Sequence, residues 1–218
     1  FQIGSFGNAY GLYDATNSQY RYIVDTNGNH IFNEGSQDCD FRVESNGNAN
    51  MLFVDGGSDH VNIGTATDLG GVLNVAGTAV IQTADNTDTL TLTSTDADAA
   101  IGPNLRLYRN SSSPADDDLT ATVDFEWRND NSQDVIGFQI DNFCRDVSDG
   151  AEENIIRFKN MFNGTLTEFM RADSQSDQSV VTFNELSNDI DFRVESNGNT
   201  NMLFVDAGND KVGIGTNA

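Results

Sequence analysis

Short apolar–polar alternations set the rhythm of this chain. Phe41 and Val43 alternate with Asp40, Arg42 and Glu44, the period-two signature of a strand with one covered face. Asn46-Gly47 follows, a dipeptide suited to the left-handed conformations of a tight hairpin turn, and Met51-Leu52-Phe53-Val54 supplies the returning strand. For a two-residue or a four-residue loop alike, strand parity puts Phe41 and Val43 on the face of Leu52 and Val54. Met51 and Phe53 then share the face of Arg42 and Glu44.

This unit occurs twice. Residues 32–65 align without gaps to residues 183–216, with 26 of 34 positions identical, so a module has been duplicated. In the second copy Phe192 and Val194 face with Leu203 and Val205, while Met202 and Phe204 lie opposite. A weaker echo sits upstream, where Tyr22-Ile23-Val24-Asp25 is followed by Gly28-Asn29-His30-Ile31. Both faces of the hairpin carry large apolar groups, more than one thin hairpin can cover. One face is expected to pack within the chain and the other against identical chains around a threefold axis, so that one sequence supplies all the cover. Met51, Phe53, Met202 and Phe204 are the expected trimer-packing residues. A β-sandwich monomer that buries both faces internally is the alternative.

Between the copies, residues 67–97 read as short strands with turn punctuation: Val72 to Val75, Val80-Ile81, and the alternating Leu90-Thr91-Leu92-Thr93. Residues 98–181 are richer in aromatics, with candidate strands at Leu105–Tyr108, Leu119–Trp127, Val135–Phe143, Ile155–Phe162 and Leu166–Met170. Polar turns separate them at Ser111–Pro114, Asn129–Asn131, Asp149-Gly150 and Asn163-Gly164. No window of ten or more residues carries a capped 3.6-residue period, so little helix is expected. The expected organisation is an N-terminal hairpin-repeat region (1–66), a shaft-like connector (67–97), a central β domain (98–181) and a C-terminal copy of the hairpin repeat (182–218). The fold class is all-β, built from short antiparallel strands and hairpins, intertwined or side by side in a parallel homotrimeric fibre.

Charge changes the picture of partners. Two lysines, nine arginines and 34 acidic residues leave a formal charge of −23, which opposes a phosphate backbone, so no nucleic acid is expected. Three parallel copies would triple that charge, and a self-repulsion of this kind is relieved by bound cations or by salt, whose screening length falls to about 3 Å at 1 M. Cys39 and Cys144 are too few for a disulfide framework and are expected as buried free thiols. No apolar run approaches the length of a membrane span, and Phe1 begins no recognisable signal peptide, so no membrane insertion is expected and a targeting segment is absent or already removed.

Candidate chemistry is sparse. His60 aligns with Lys211 in the second copy, so the module does not depend on it, and the sequence holds no Gly-x-Ser-x-Gly, HExxH, phosphate loop or CxxC. Asp124 and Glu126 lie two apart on one strand face beside Trp127, a pairing that would suit a glycosidase but that chance produces readily in so acidic a chain. Asp25, Asn27 and Asn29 place oxygen donors at alternate positions around Gly28, like part of a calcium loop, though without the distant bidentate Glu. They are the candidate metal residues and Ca²⁺ the candidate ion; no other cofactor is expected. Asp55 with Asp59, Asp116 to Asp118, and Asp206 with Asp210 are further clusters, and Asx turns account for all of them without metal. Tyr20, Tyr108 and Trp127 could meet a glycan if exposed, but on strands they are expected in the core.

The stretch Asn104-Leu-Arg-Leu-Tyr-Arg-Asn110-Ser-Ser-Ser-Pro-Ala-Asp116, with Asp149-Gly150, Phe204-Val-Asp206 and Val212-Gly-Ile-Gly-Thr216, resembles repeat modules of tail fibre proteins from marine bacteriophages. The resemblance covers chiefly residues 30–66 and 98–217. It implies homotrimers, β-rich shafts, a location on the virion tail or otherwise outside the cell, and a non-enzymatic role in attaching the particle to its host. It also implies as partners an adjacent fibre or baseplate protein and a glycan of the host surface. Many such fibres end in a self-cleaving chaperone domain, and nothing after Asn217 resembles one. A polysaccharide-depolymerising tailspike and a cell-surface adhesin or filament subunit are the alternative readings.

Overall fold

The computed structural model describes residues 1–175 and 178–217. Among them the regular elements are all strands, in four separate sheets, so the chain is all-β. It divides into two units, Phe1–Thr93 and Ser94–Ala218.

In the first unit, β1 (Gln2–Phe6), β2 (Ala9–Asp14), β3 (Gln19–Val24) and β4 (His30–Phe32) form an antiparallel meander in chain order. Its β2–β3 turn is locked by a carboxylate. Buried Asp14 accepts the Thr16 and Asn17 amides, the Asn17 side chain and Arg21 Nη2, the last at 2.9 Å, and so fixes the reversal between β2 and β3. Gly11 is required opposite Ile23 because a Cβ there would collide with the Tyr22 carbonyl.

The first module copy follows as β5 (Phe41–Val43), β6 (Leu52–Asp55) and β7 (His60–Ile63), with β8 (Leu73–Val75) added beside β7. Phe41 pairs with Val54, Arg42 with Phe53 and Val43 with Leu52, the parity expected from the sequence. Two details differ. Asn46 and Gly47 are not left-handed; residues 44–51 form a wider loop closed by the Ser45 amide on the Asn48 carbonyl at 2.8 Å. The β7–β8 pair is parallel, not antiparallel, and aligns Asn62 with Asn74, whose buried side chains hydrogen-bond at 2.7 Å. The upstream echo is also a strand–turn–strand, but Val24 rather than Asp25 pairs with His30, one residue out of the module's register.

The second unit holds a five-stranded antiparallel meander, β9 (Asp118–Arg128), β10 (Asp134–Asp146), β11 (Glu153–Phe162), β12 (Thr165–Gln175) and β13 (Gln178–Phe183), each hydrogen-bonded to the next. The second module copy, β14 (Phe192–Val194), β15 (Leu203–Asp206) and β16 (Lys211–Ile214), reproduces the first strand for strand. Here β16 is an edge strand among the described residues, whereas β7 is flanked by β8.

The expected strands at Val80-Ile81, Leu90–Thr93 and Leu105–Tyr108 are not formed. Their alternation is real, but a strand needs a neighbour to take its amides and carbonyls. Among the described residues none lies alongside, and Val80, Leu90 and Leu105 are exposed. The substantial contacts between strands run within sheets, so each sheet is a single layer. Ile23 and Phe53 are the apolar side chains that reach burial among the described residues, against six polar ones.

The duplicated module has its own internal lock. Asn33 and Asn184 both sit in the left-handed region, at φ 60° and 61°, and each side chain spans its turn twice. The amide donates to the carbonyl of Gln37 or Asn188 at 2.6 Å, and the side-chain oxygen accepts that residue's own N–H. Asn33→Ala and Asn184→Ala each lose both bonds and are expected to destabilise their module by about 1–2 kcal/mol. Urea unfolding at fixed chain concentration should give two closely similar values.

Candidate functional site

A groove recurs in both module copies. The first, of about 670 Å³, is lined by Phe32, Asn33, Phe41, Val54 and Asp55 together with Arg21 and Cys39. The second, of about 510 Å³, has the equivalent Phe183, Asn184, Phe192, Val205 and Asp206, but Ile190 in place of Cys39. The aromatic pair at the mouth is the same in both, with ring centroids 4.8 Å apart. The grooves differ in polarity. Arg21 Nη1 lies 2.8 Å from Cys39 Sγ while its other nitrogen holds Asp14, which raises the Arg21 pKa and keeps Asp14 well below the usual carboxylate range, where the Asn17 and Arg21 hydrogen bonds favour its charged form. Both cysteines are free and half-buried, less covered than the sequence led us to expect.

The expected packing residues separate. Phe53 is 9% exposed, in a cross-strand row with Arg42, Asn62 and Asn74. Phe204 has Gly213 in place of that asparagine, has no fourth strand beyond β16 among the described residues, and is half-buried. Met51 and Met202 remain 45% exposed in both copies.

The carboxylates of the acidic clusters hold backbone amides, those of Asp25, Asp55 and Asp206 within their own turns. Asp25 accepts the Asn27 and Asn29 amides on one oxygen and the Asn29 side chain on the other, which lowers its pKa. A cation held by Asp25, Asn27 and Asn29 would have to displace these bonds. Asp55 takes the Gly57 and Ser58 amides, Asp116 the Val147 amide, and Asp206 the Asn209 amide and side chain. Among the described residues, no cluster of three or more His, Cys, Asp or Glu could hold a metal ion.

Asp124 and Glu126 lie on β9, an edge strand, with Asp124 engaged by the Gln139 amide at 2.7 Å. Tyr108 and Trp127, expected in the core, are exposed: Arg106 stacks on the Tyr108 ring at 4.3 Å, and the Trp127 indole lies over Gly137, where a Cβ would come within 2.5 Å of Nε1. Tyr20 is half-buried beside Tyr13.

One arrangement escaped the sequence reading. A face of the five-stranded sheet carries a continuous ionic lattice. Arg157 grips Asp141 through two bonds of 2.8 Å, and Lys159 reaches the same carboxylate at 2.6 Å. Arg171 holds Glu168 at 2.6 and 3.1 Å, and Arg145 holds Asp173 at 2.5 Å. Asp141, Glu168 and Asp173 are buried beneath the stems of these cations. Burial pushes the Asp141 pKa up, but Arg157 and Lys159 outweigh it and leave the group below its ordinary value. The signal was available: Gln139 and Asp141, Arg157 and Lys159, and Arg171 and Asp173 each alternate along adjacent strands.

No protein-family model, curated protein or solved structure matches this chain.

Asp141→Asn strands two cations and is expected to cost about 3 kcal/mol at neutral pH. Because the folded pKa is depressed, the contribution is complete above the unfolded value of about 3.9 and is lost as pH falls below it. The stability gap between wild type and variant, followed by urea unfolding, should therefore narrow below about pH 4.

Proposed function

We propose that this chain is a structural segment of a trimeric viral fibre, carrying attachment to a host surface mechanically and without catalysis. The observation that carries this reading is exposure. The chain presents 15826 Å² to solvent. A compact monomer of 23.7 kDa would present about 9,800 Å². The excess, about 6,000 Å², is several times the ~800 Å² that each partner contributes to an ordinary stable complex and supports a reading as one chain of an obligate assembly.

A self-assembly suits this excess because it is spread over all four sheets, from Ile3 and Phe32 to Val181 and Ile214. A cover that follows the chain throughout is supplied most economically by copies of it around an axis. The duplicated module, the single-layer sheets and the resemblance of Asn104–Asp116 and the module ends to tail-fibre repeats support a shaft that joins an adjacent fibre or baseplate protein to the host-contacting end. The unformed strands at Val80-Ile81, Leu90–Thr93 and Leu105–Tyr108 suit pairing between intertwined chains. The acidic turns of three parallel copies then favour high ionic strength or Ca²⁺.

Light scattering of the purified chain at high and low salt, with and without Ca²⁺, tests this. A mass of three chains that persists on dilution in high salt is expected, with weaker association as salt is removed. A monomer under all conditions would overturn the fibre reading, and open-ended polymers would favour a filament subunit.

A further inference from the structure

The five-stranded sheet of the second unit has two faces of opposite chemistry. Register places the ionic lattice on one face. On the other, Val123 and Phe125 of β9 lie beside Ile140 and Phe138 of β10, and Ile140 in turn lies beside Phe158 of β11. The row continues from Phe158 to Met170 of β12 and Phe183 of β13, with Ile156, Ala172 and Val181 forming the next. Trp127 extends this face at the β9 edge by strand alternation. None of these side chains is ionisable.

The face is covered in part within its unit, where Asp189 and Ile190 border Phe138, Phe162 and Phe169 and where Phe183 meets Phe192, and its two edges are left open. Phe125 is 56% and Trp127 55% exposed, and so are Val181 and Phe183 at the far edge. The preceding segment leaves Ile101, Leu105 and Leu107 exposed as well. The opposite face needs no partner, since its buried carboxylates are met by Arg145, Arg157, Lys159 and Arg171 from the same sheet.

We propose that this apolar face is where copies of the chain meet, each turning Phe125, Trp127, Phe158 and Val181 inward and its ionic lattice outward. The inference rests on the self-assembly proposed above and names the surface that accomplishes it. Charge argues for a second copy as the occupant. A chain of formal charge −23 opposes its own kind wherever acids meet. Here the paired rows are free of charge, so copies approach without burying an unpaired carboxylate. Phe125, Trp127, Val181 and Phe183 are this face's share of the apolar surface that the chain leaves exposed.

Trp127 is the single tryptophan of the sequence and lies on this face, so it reports the contact in the unaltered protein. The experiment measures acrylamide quenching and emission of Trp127 alongside the solution mass. The expected result is a three-chain mass with blue-shifted emission and quenching several-fold weaker than in the urea-denatured chain. Val123→Asp and Val181→Asp, on opposite edge strands, should weaken association at least tenfold, whereas Glu126→Gln on the other face should not. A three-chain mass with Trp127 as accessible as in denatured protein would overturn this face assignment and leave the fibre reading standing. A monomer would overturn both. Protection of Trp127 that arises only on adding lipid vesicles would put a membrane in place of the second copy and overturn the inference.

Discussion

A sheet with large side chains on an apolar face holds together in water when something covers that face, and within each unit the described residues give these sheets little cover. Among the described residues the four sheets share few buried apolar groups, with Ile23 and Phe53 at the margin of burial and Asp14, Asn62, Asn74, Asp141, Glu168 and Asp173 more deeply enclosed. In a compact domain of this length the proportions are reversed. What the single chain does supply is local order: cross-strand pairing, turns closed by side-chain oxygens, and an ionic lattice that satisfies its own charges. The apolar contribution that normally dominates folding is small among the described residues of the single chain.

This division also accounts for the acidic composition. Asp14, Asp25, Asp55 and Asp206 sit where strands end, and their carboxylates accept the backbone amides that a turn leaves unpaired. Asp141, Glu168 and Asp173 are matched by cations on neighbouring strands. Negative charge is thus concentrated in turns and on one face of the central sheet, while the paired rows from Val123 and Phe125 to Val181 and Phe183 on the opposite face carry none. The module repeats the arrangement closely enough that Asn33 and Asn184, Arg42 and Arg193, and Phe41 and Phe192 occupy equivalent places with matching bonds.

Much of the fold was legible in the sequence because alternation is a local property. The strand parity of Phe41, Val43, Leu52 and Val54 and the long strands from Leu119 to Met170 follow from period two and turn residues alone. The unformed strands at Val80, Leu90 and Leu105 mark where that logic stops, since alternation declares a readiness to pair and says nothing of where the partner is. The parallel addition of β8 beside β7 and the φ values of Asn46 and Gly47 depend on the same non-local information. Of the candidate site, the period put Met51 and Phe53 on one face but did not separate exposed Met51 from covered Phe53, whose row Asn62 and Asn74 extend, a feature set by a strand twenty residues away. The ionic lattice was written in alternate charged positions but becomes visible once the register joins Asp141 to Arg157 and Lys159 to Glu168.

The central claim is that folding and self-assembly are one process in this chain. Equilibrium urea unfolding followed by far-ultraviolet circular dichroism over a hundredfold range of chain concentration tests it most directly. If copies supply the missing core, the midpoint rises steadily with concentration, as mass action requires of a folded state that exists as an oligomer. A cooperative transition with the same midpoint at every concentration would mean that the single chain is stable alone, and would contradict the account.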